Sequence, residues 1–205
     1  YKEIGLLERG HVIKVTRADL VGRYIGHTAQ NTKEYIEKAM GGVLFVEEAY
    51  TLKRSADTGK DFGQEAIDTL MEAMSDKKGE FAVIFAGYPK EMDIFIESNP
   101  GIKSRLKNNE FVLDDYTGEE VARIFEIRAN NANFRVNEEL MAPLPVIFDT
   151  MKKKDPKDWG NGRAAENLEE EMRMLWVSDK AFETEEDGTK VRLYVRRHLP
   201  KEYEK

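Results

Sequence analysis

The stretch Gly41-Gly42-Val43-Leu44-Phe45-Val46-Glu47-Glu48-Ala49-Tyr50 decides the fold. Four apolar residues bounded by glycines and running into two carboxylates read as a strand buried on both faces. In an open α/β sheet the polar end of such a strand sits at the edge where ligands bind. A second run, Phe81-Ala82-Val83-Ile84-Phe85-Ala86, closes on Gly87-Tyr88-Pro89 and reads as another buried strand.

Working outward, His11 to Val15 alternates weakly and predicts a short strand, followed by a short helix and a loop carrying Gly22 and Gly26. Thr32 is placed to cap a helix whose Tyr35, Ile36, Ala39 and Met40 share one face, ended by Gly41-Gly42. Lys53 to Asp61 reads as a solvated loop. Ala66, Ile67, Leu70, Met71 and Met74 then recur at helical spacing. Met92 to Ile96 predict a short helix, Asn99-Pro100-Gly101 a turn, and Glu110 to Leu113 a further strand. Strands alternating with helices imply a parallel sheet built from βαβ units. From Thr117 the pattern becomes helical: Thr117-Gly118-Glu119-Glu120 has capping-box spacing, and helices follow over 144–151 and 164–177. Pro143 and Pro145 delay the first of these, because proline lacks the amide a helix interior needs. The expected organisation is an α/β part over 1–116, a helical part over 117–182, and a charged tail over 183–205 in which Val191 to Val195 is a strand candidate. Tyr1 to Leu7 reads as the end of a helix, so the chain is expected to start inside a domain.

The composition excludes several classes. The 205 residues carry 40% hydrophobic and 35% charged side chains, as in a globular protein with a heavily solvated surface. The apolar runs fall far short of the roughly 18 residues that span a bilayer. A net charge of −7 argues against general nucleic-acid affinity, which needs basic surface to release phosphate counterions. Cysteine is absent, which removes thiol chemistry and suits the cytoplasm. His11, His27 and His198 are too far apart in sequence for a zinc motif, and the methionines at 71, 74, 141, 151 and 172 sit at core spacing.

Five segments agree in order with one family. Val15 to Thr28 (VTRADLVGRYIGHT), Gly41 to Tyr50, Ala86-Gly87-Tyr88, Asn99 to Arg105 (NPGIKSR) and Gly160-Asn161-Gly162-Arg163 together resemble the CbbX/CfxQ branch of the AAA+ ATPases. That branch includes red-type rubisco activases and relatives of stage V sporulation protein K. The resemblance covers about residues 1–180. It implies an αβα subdomain with a helical lid, assembled as a hexameric ring, with ATP and Mg²⁺ between subunits and hydrolysis driving pore loops against a protein client.

Residue by residue, the Gly41 to Tyr50 stretch takes the form of a Walker B element. Glu48 falls at the position of the carboxylate that activates the attacking water, where the plain alternative is a solvated acidic strand end. Glu47 falls where the family normally has aspartate for the magnesium shell; its extra methylene shifts the carboxylate beyond the ~0.5 Å placement such sites tolerate. Tyr88 lies near the sensor-1 position, or is simply a tyrosine packed at a strand end. Arg105 matches the arginine finger, its planar fork suited to charge on a neighbour's γ-phosphate, with Lys103 the weaker candidate. Arg163 matches the sensor-2 arginine of the lid, against the alternative of an ordinary surface arginine. Tyr24, Ile25 and Gly26 match the aromatic-hydrophobic-glycine pore loop, against that of a buried tyrosine.

The phosphate-holding pattern G-x-x-x-x-G-K-[ST] occurs nowhere in the 205 residues. The family's strand order of 5-1-4-3-2 implies that this chain supplies strands 2 to 5, leaving a gap where strand 1 and its phosphate loop belong. Unpaired strand edges buried without partners cost roughly 1–3 kcal/mol per group. Two functions follow: a subunit or fragment of a remodelling ATPase, inactive without that loop, or a non-catalytic module that serves assembly or regulation of a ring. A hydrolase using Glu47 and Glu48 as an acid-base pair is disfavoured, since adjacent strand residues point to opposite faces.

Overall fold

The apolar runs at 43–46 and 81–86 become neighbouring strands of one parallel sheet. The computed structural model describes residues 1–24, 26–53, 62–106, 109–156 and 158–203, and the chain divides into two compact units, Tyr1–Val112 and Leu113–Lys205. In the first unit, β1 (Val12–Val15), β2 (Val43–Val46) and β3 (Ala82–Phe85) are ordered β1-β2-β3, all parallel, with Val12 opposite Val43 and Val43 opposite Ala82. The helices are α1 (Arg17–Leu20), α2 (His27–Ala39), α3 (Gly63–Asp76), α4 (Pro89–Glu97) and α5 (Pro100–Leu106). The α/β architecture with a parallel sheet is the one the motif order predicted. Leu20, Ile36, Leu44, Val46, Leu52, Ile67, Leu70, Phe95 and Ile102 form its core.

Several local expectations change. Tyr1 to Leu7 forms turns rather than a helix end. Helix α2 starts at His27, with Gly26 in the left-handed region at its N-cap; Thr32 is buried inside the helix, its hydroxyl donating to the Leu20 carbonyl at 3.4 Å instead of capping. Asn99-Pro100-Gly101 is a helix start: the Asn99 side chain accepts from the Gly101 and Ile102 amides at 2.8 and 3.3 Å, and Pro100 occupies a first-turn position that has no use for an amide. Strand β3 is half-exposed, with Ile84 at 40%, because no strand pairs with its second edge among the described residues. Over Glu110 to Leu113 there is no strand, and Phe111, Val112 and Leu113 are 90%, 74% and 92% exposed. A strand exists only through a hydrogen-bonded neighbour. The loop expected over 53–61 lies, beyond Lys53, outside the described residues.

In the second unit, α6 (Gly118–Asn131), α7 (Glu138–Met141), α8 (Leu144–Lys154) and α9 (Gly162–Asp179) pack with a sheet of order β4-β6-β5, formed by β4 (Phe134–Val136), β5 (Phe182–Thr184) and β6 (Lys190–Tyr194). The capping box forms: Thr117 Oγ1 accepts from the Glu120 amide, and the Glu120 carboxylate accepts from the Thr117 amide at 2.8 Å. The unit is therefore not purely helical, and the charged segment after residue 183 contributes Tyr194 and Leu199 to its core. Tyr194, fully buried, stacks on Phe134 with centroids 4.2 Å apart and donates to buried Glu169 at 2.8 Å. Glu169 also accepts from Arg173 Nε at 3.2 Å, and burial, with the Glu169 carboxylate beside it, pushes the Tyr194 phenol up.

His198, also buried, meets Asp179 at 2.8 Å, and Arg197 contacts the same carboxylate. These partners, Arg197 first, hold Asp179 below the usual carboxylate range. A depressed carboxylate contributes stability above its unfolded pKa and loses it as pH falls through the folded one. The urea midpoint of Asp179→Asn is therefore expected to lie below that of the unsubstituted protein at pH 5, with the difference closing below about pH 4; an unchanged difference at pH 3 would exclude the pairing.

Candidate functional site

Because the strands of the first unit are parallel, their carboxyl ends open on one edge. The last ladder bonds are Glu47 N–H to the Val15 carbonyl at 2.8 Å and Ala86 N–H to the Val46 carbonyl at 2.9 Å. Strand β2 ends at Val46, and Glu48 adopts φ 47°, ψ 48°, a left-handed conformation that costs a non-glycine residue about 1–2 kcal/mol. The turn is clamped by bonds on both sides of Glu48: Ala49 N–H donates to the Ala86 carbonyl at 3.0 Å, and the Glu48 carbonyl accepts from Thr51 N–H at 2.8 Å. Residues Ala49–Leu52 then form a 3-10 turn. The relation between Glu47 and Glu48 is set by this turn and not by the strand pleat, so the opposite-faces argument drawn from a continuous strand does not apply to them.

Glu48 is exposed and Glu47 half-buried. Lys14 Nζ stands 3.9 Å from Glu47 Oε1, a solvated pair of small worth. Tyr88, 59% exposed, caps α4 ahead of Pro89, and its ring lies 6.4 Å from that of Tyr50. Gly87 makes this approach feasible: a Cβ there would lie 2.8 Å from Tyr50 Cδ1 and from Met92 Sδ. Burial, then the charge of Glu48, then Tyr88 and Glu91 push the Tyr50 phenol up, so Tyr50 stays neutral beside the acidic turn. Sequence reasoning gave Tyr50 no role, and only its position directly after Glu-Glu-Ala hinted at one.

The other candidates lie on separate elements. Arg105, exposed on α5, donates through Nη1 to the Gly101 carbonyl at 3.1 Å and through Nη2 to Ser75 Oγ on α3. Both partners are neutral, and no acid pairs with it among the described residues. Lys103 is bound to Glu97 at 2.6 Å. Tyr24 is 68% exposed with its ring 5.4 Å from His27, just before the left-handed Gly26; Ile25 lies outside the described residues. In the second unit, Arg163 is exposed at the start of α9 with no side-chain partner among the described residues. The Asn161 side chain accepts from Tyr116 N–H at 3.0 Å and donates to Asp115 at 3.3 Å, fixing the loop ahead of that helix.

Among the described residues no three histidine, aspartate or glutamate side chains converge as a metal site. Magnesium on a nucleotide needs no such cluster, since one or two carboxylates complete a shell of waters and phosphate oxygens. Glu48, exposed, and Glu47, half-buried, are the two carboxylates at the end of β2 that could complete such a shell. No helix among the described residues is long and apolar enough to cross a membrane.

Residues 2–112 match the profile of the ATPase family associated with various cellular activities (AAA). The chain is 40% identical to a CfxQ homologue of Trieres chinensis over 84% of its own length and 58% of the relative's. It is 42% identical to stage V sporulation protein K of Bacillus subtilis, over 84% and 55% respectively. With the chloroplastic ribulose bisphosphate carboxylase/oxygenase activase of Cyanidioschyzon merolae it shares 39% identity over 83% and 57%. The chain thus spans little more than half of these relatives.

Because the charge of Glu48 is among the causes that push the Tyr50 phenol up, Glu48→Gln is expected to lower the Tyr50 midpoint toward the ordinary value of about 10. A ¹³C NMR titration of the tyrosine Cζ resonances reads this directly, and an unmoved Tyr50 would disprove the coupling.

Proposed function

The chain belongs to the AAA ATPases, within the CbbX/CfxQ branch, and on that footing we propose that it is the water- and magnesium-handling part of an ATPase that remodels a protein client. The observation that carries the reading is the gathering of Glu47, Glu48 and Tyr88 where β2 and β3 end on one sheet edge. A carboxylate on a rigid left-handed turn can hold and deprotonate a water without reorganising, the condition for efficient general-base work. Glu47, beside it, is the residue that would supply a carboxylate to a magnesium shell, and an ion held there would neutralise charge on phosphate oxygens. Tyr88 offers a hydroxyl at the same edge. Arg105, pre-oriented by Ser75 and Gly101 and not paired with an acid among the described residues, is suited to meet the γ-phosphate of a neighbouring subunit. Arg163 is free to report nucleotide to the second unit, and exposed Tyr24 is suited to grip a peptide in the pore of a ring. Activity of this kind on a protein is what one relative's name, an activase of ribulose bisphosphate carboxylase/oxygenase, describes. The protein works in the cytoplasm, in keeping with its lack of cysteine.

The phosphate side is supplied by chain outside these 205 residues. The open edge of β3 and the solvent-exposed Phe111 and Val112 support this, since both suit a parallel strand leading to a phosphate loop. One observation favours a second reading, a ring component without turnover: glutamate replaces aspartate at residue 47.

The two readings separate in the full-length protein that carries this sequence. The ATPase reading expects nucleotide binding and hydrolysis, with Glu48→Gln lowering kcat by about 100-fold or more while nucleotide affinity holds. Binding without hydrolysis, indifferent to Glu48→Gln, would leave only the non-catalytic role.

A further inference from the structure

We propose that Arg17 is a positioning residue for the turn that carries Glu48, and that it ties this turn to the segment bearing Tyr24. The proposal deepens the ATPase reading above and rests on it for its catalytic consequence.

The 3-10 turn Ala49–Leu52 ends in carbonyls with no acceptor role inside the turn, and such groups need an outside donor. Arg17 Nη1 supplies it, donating to the Thr51 carbonyl at 2.9 Å and the Leu52 carbonyl at 2.8 Å. Helix α3 closes on the same point: a Cβ on Gly63 would fall 1.8 Å from the Leu52 oxygen and 2.4 Å from Arg17 Nη1. The turn is thus held at its front by Ala49 N–H on the Ala86 carbonyl and at its rear by the guanidinium. Glu48 is the residue immediately ahead, in a conformation that persists only where its surroundings over-determine it.

Arg17 is itself fixed from the other side. Thr16 donates to Asp19 Oδ2 through its amide at 2.7 Å and through its hydroxyl at 2.8 Å, which locks the first turn of α1. The helix closes with Val21 N–H on the Arg17 carbonyl at 2.9 Å, and Gly22 N–H then donates to Thr28 Oγ1 of α2 at 3.0 Å. Tyr24 lies on the short connection between these anchors. One side chain therefore joins the acidic turn to the root of the exposed tyrosine, and a displacement of either end must be accommodated by the other. A lysine cannot reproduce the planar fork, although it retains the charge.

The test uses the full-length protein with Arg17→Ala and Arg17→Lys, read by amide hydrogen exchange and by ATPase kinetics. In Arg17→Ala, exchange over 49–53 and 21–28 is expected to rise tenfold or more while β1, β2 and β3 keep their protection. The kcat is expected to fall by about 10- to 100-fold, the scale for misplacing a catalytic group by an ångström, with nucleotide Kd unchanged. Arg17→Lys should recover part of both effects. Unchanged exchange over 49–53 overturns the proposal, and so does a uniform rise that includes all three strands, which would make Arg17 a support of the fold alone. If the unsubstituted protein hydrolyses nothing, the ATPase reading fails, while the exchange result still decides whether Arg17 holds the turn.

Discussion

Everything at the candidate site depends on β2 being the middle strand of a parallel sheet. Its amides and carbonyls are taken up by β1 on one side and β3 on the other, and Val43, Leu44 and Val46 are buried. A strand so enclosed is held in register by the ladders on both of its edges and by the packing of its side chains on both faces. The consequence is positional. Val15, Val46 and Phe85 are brought level, so whatever follows them in sequence must emerge at one edge. Arg17 follows the first, Glu47 and Glu48 the second, and Gly87-Tyr88 the third. Groups far apart along the chain thereby share a few ångströms of surface, and each is bonded into it through the backbone.

That dependence also explains how much of the molecule was legible in the sequence. Strand β2 was readable because burial on both faces demands an unbroken apolar run, and α6 because the Thr117–Glu120 box is a local device that needs no partner. Glu48 and Arg105 could be picked out because they stand inside motifs. Failures occurred where tertiary structure decides. Thr32 has the chemistry of a cap, but the Leu20 carbonyl was a better partner. Glu110 to Leu113 has the composition of a strand and no neighbour to make it one. Tyr50 and Arg17 were invisible as site residues because their significance lies in what they touch: a carboxylate two residues away, and carbonyls brought close only by folding.

Of the short sheet of the second unit only β6 was signalled in the sequence, by the alternation around Val191 to Val195. Strands β4 and β5 are three residues long, too short for length or alternation to mark them. The deciding group is Glu169, 1% exposed on α9. A buried carboxylate is tolerated only when paired and hydrogen-bonded. Arg173, one helical turn on, supplies the charge, and the Tyr194 hydroxyl from β6 supplies the remaining bond. Docking of β6 is therefore what lets Glu169 be buried, and Glu169 gives a specific address to a segment that composition alone marks as a solvated tail.

The same accounting applies to the open edge of the first sheet. Phe111 and Val112 together forgo about 3–6 kcal/mol by remaining in water, at roughly 1.5–3 kcal/mol for each large apolar side chain buried. Net stabilities of whole domains are about 5–15 kcal/mol, so this is not a marginal sum. Ile84 and the free edge of β3 add to it. A parallel strand laid against β3 would cover Ile84 and bring its own carboxyl end to the edge that carries Glu48 and Tyr88. The turn bearing Glu48 needs no such strand to form, since Val15, Ala86 and Arg17 already hold it.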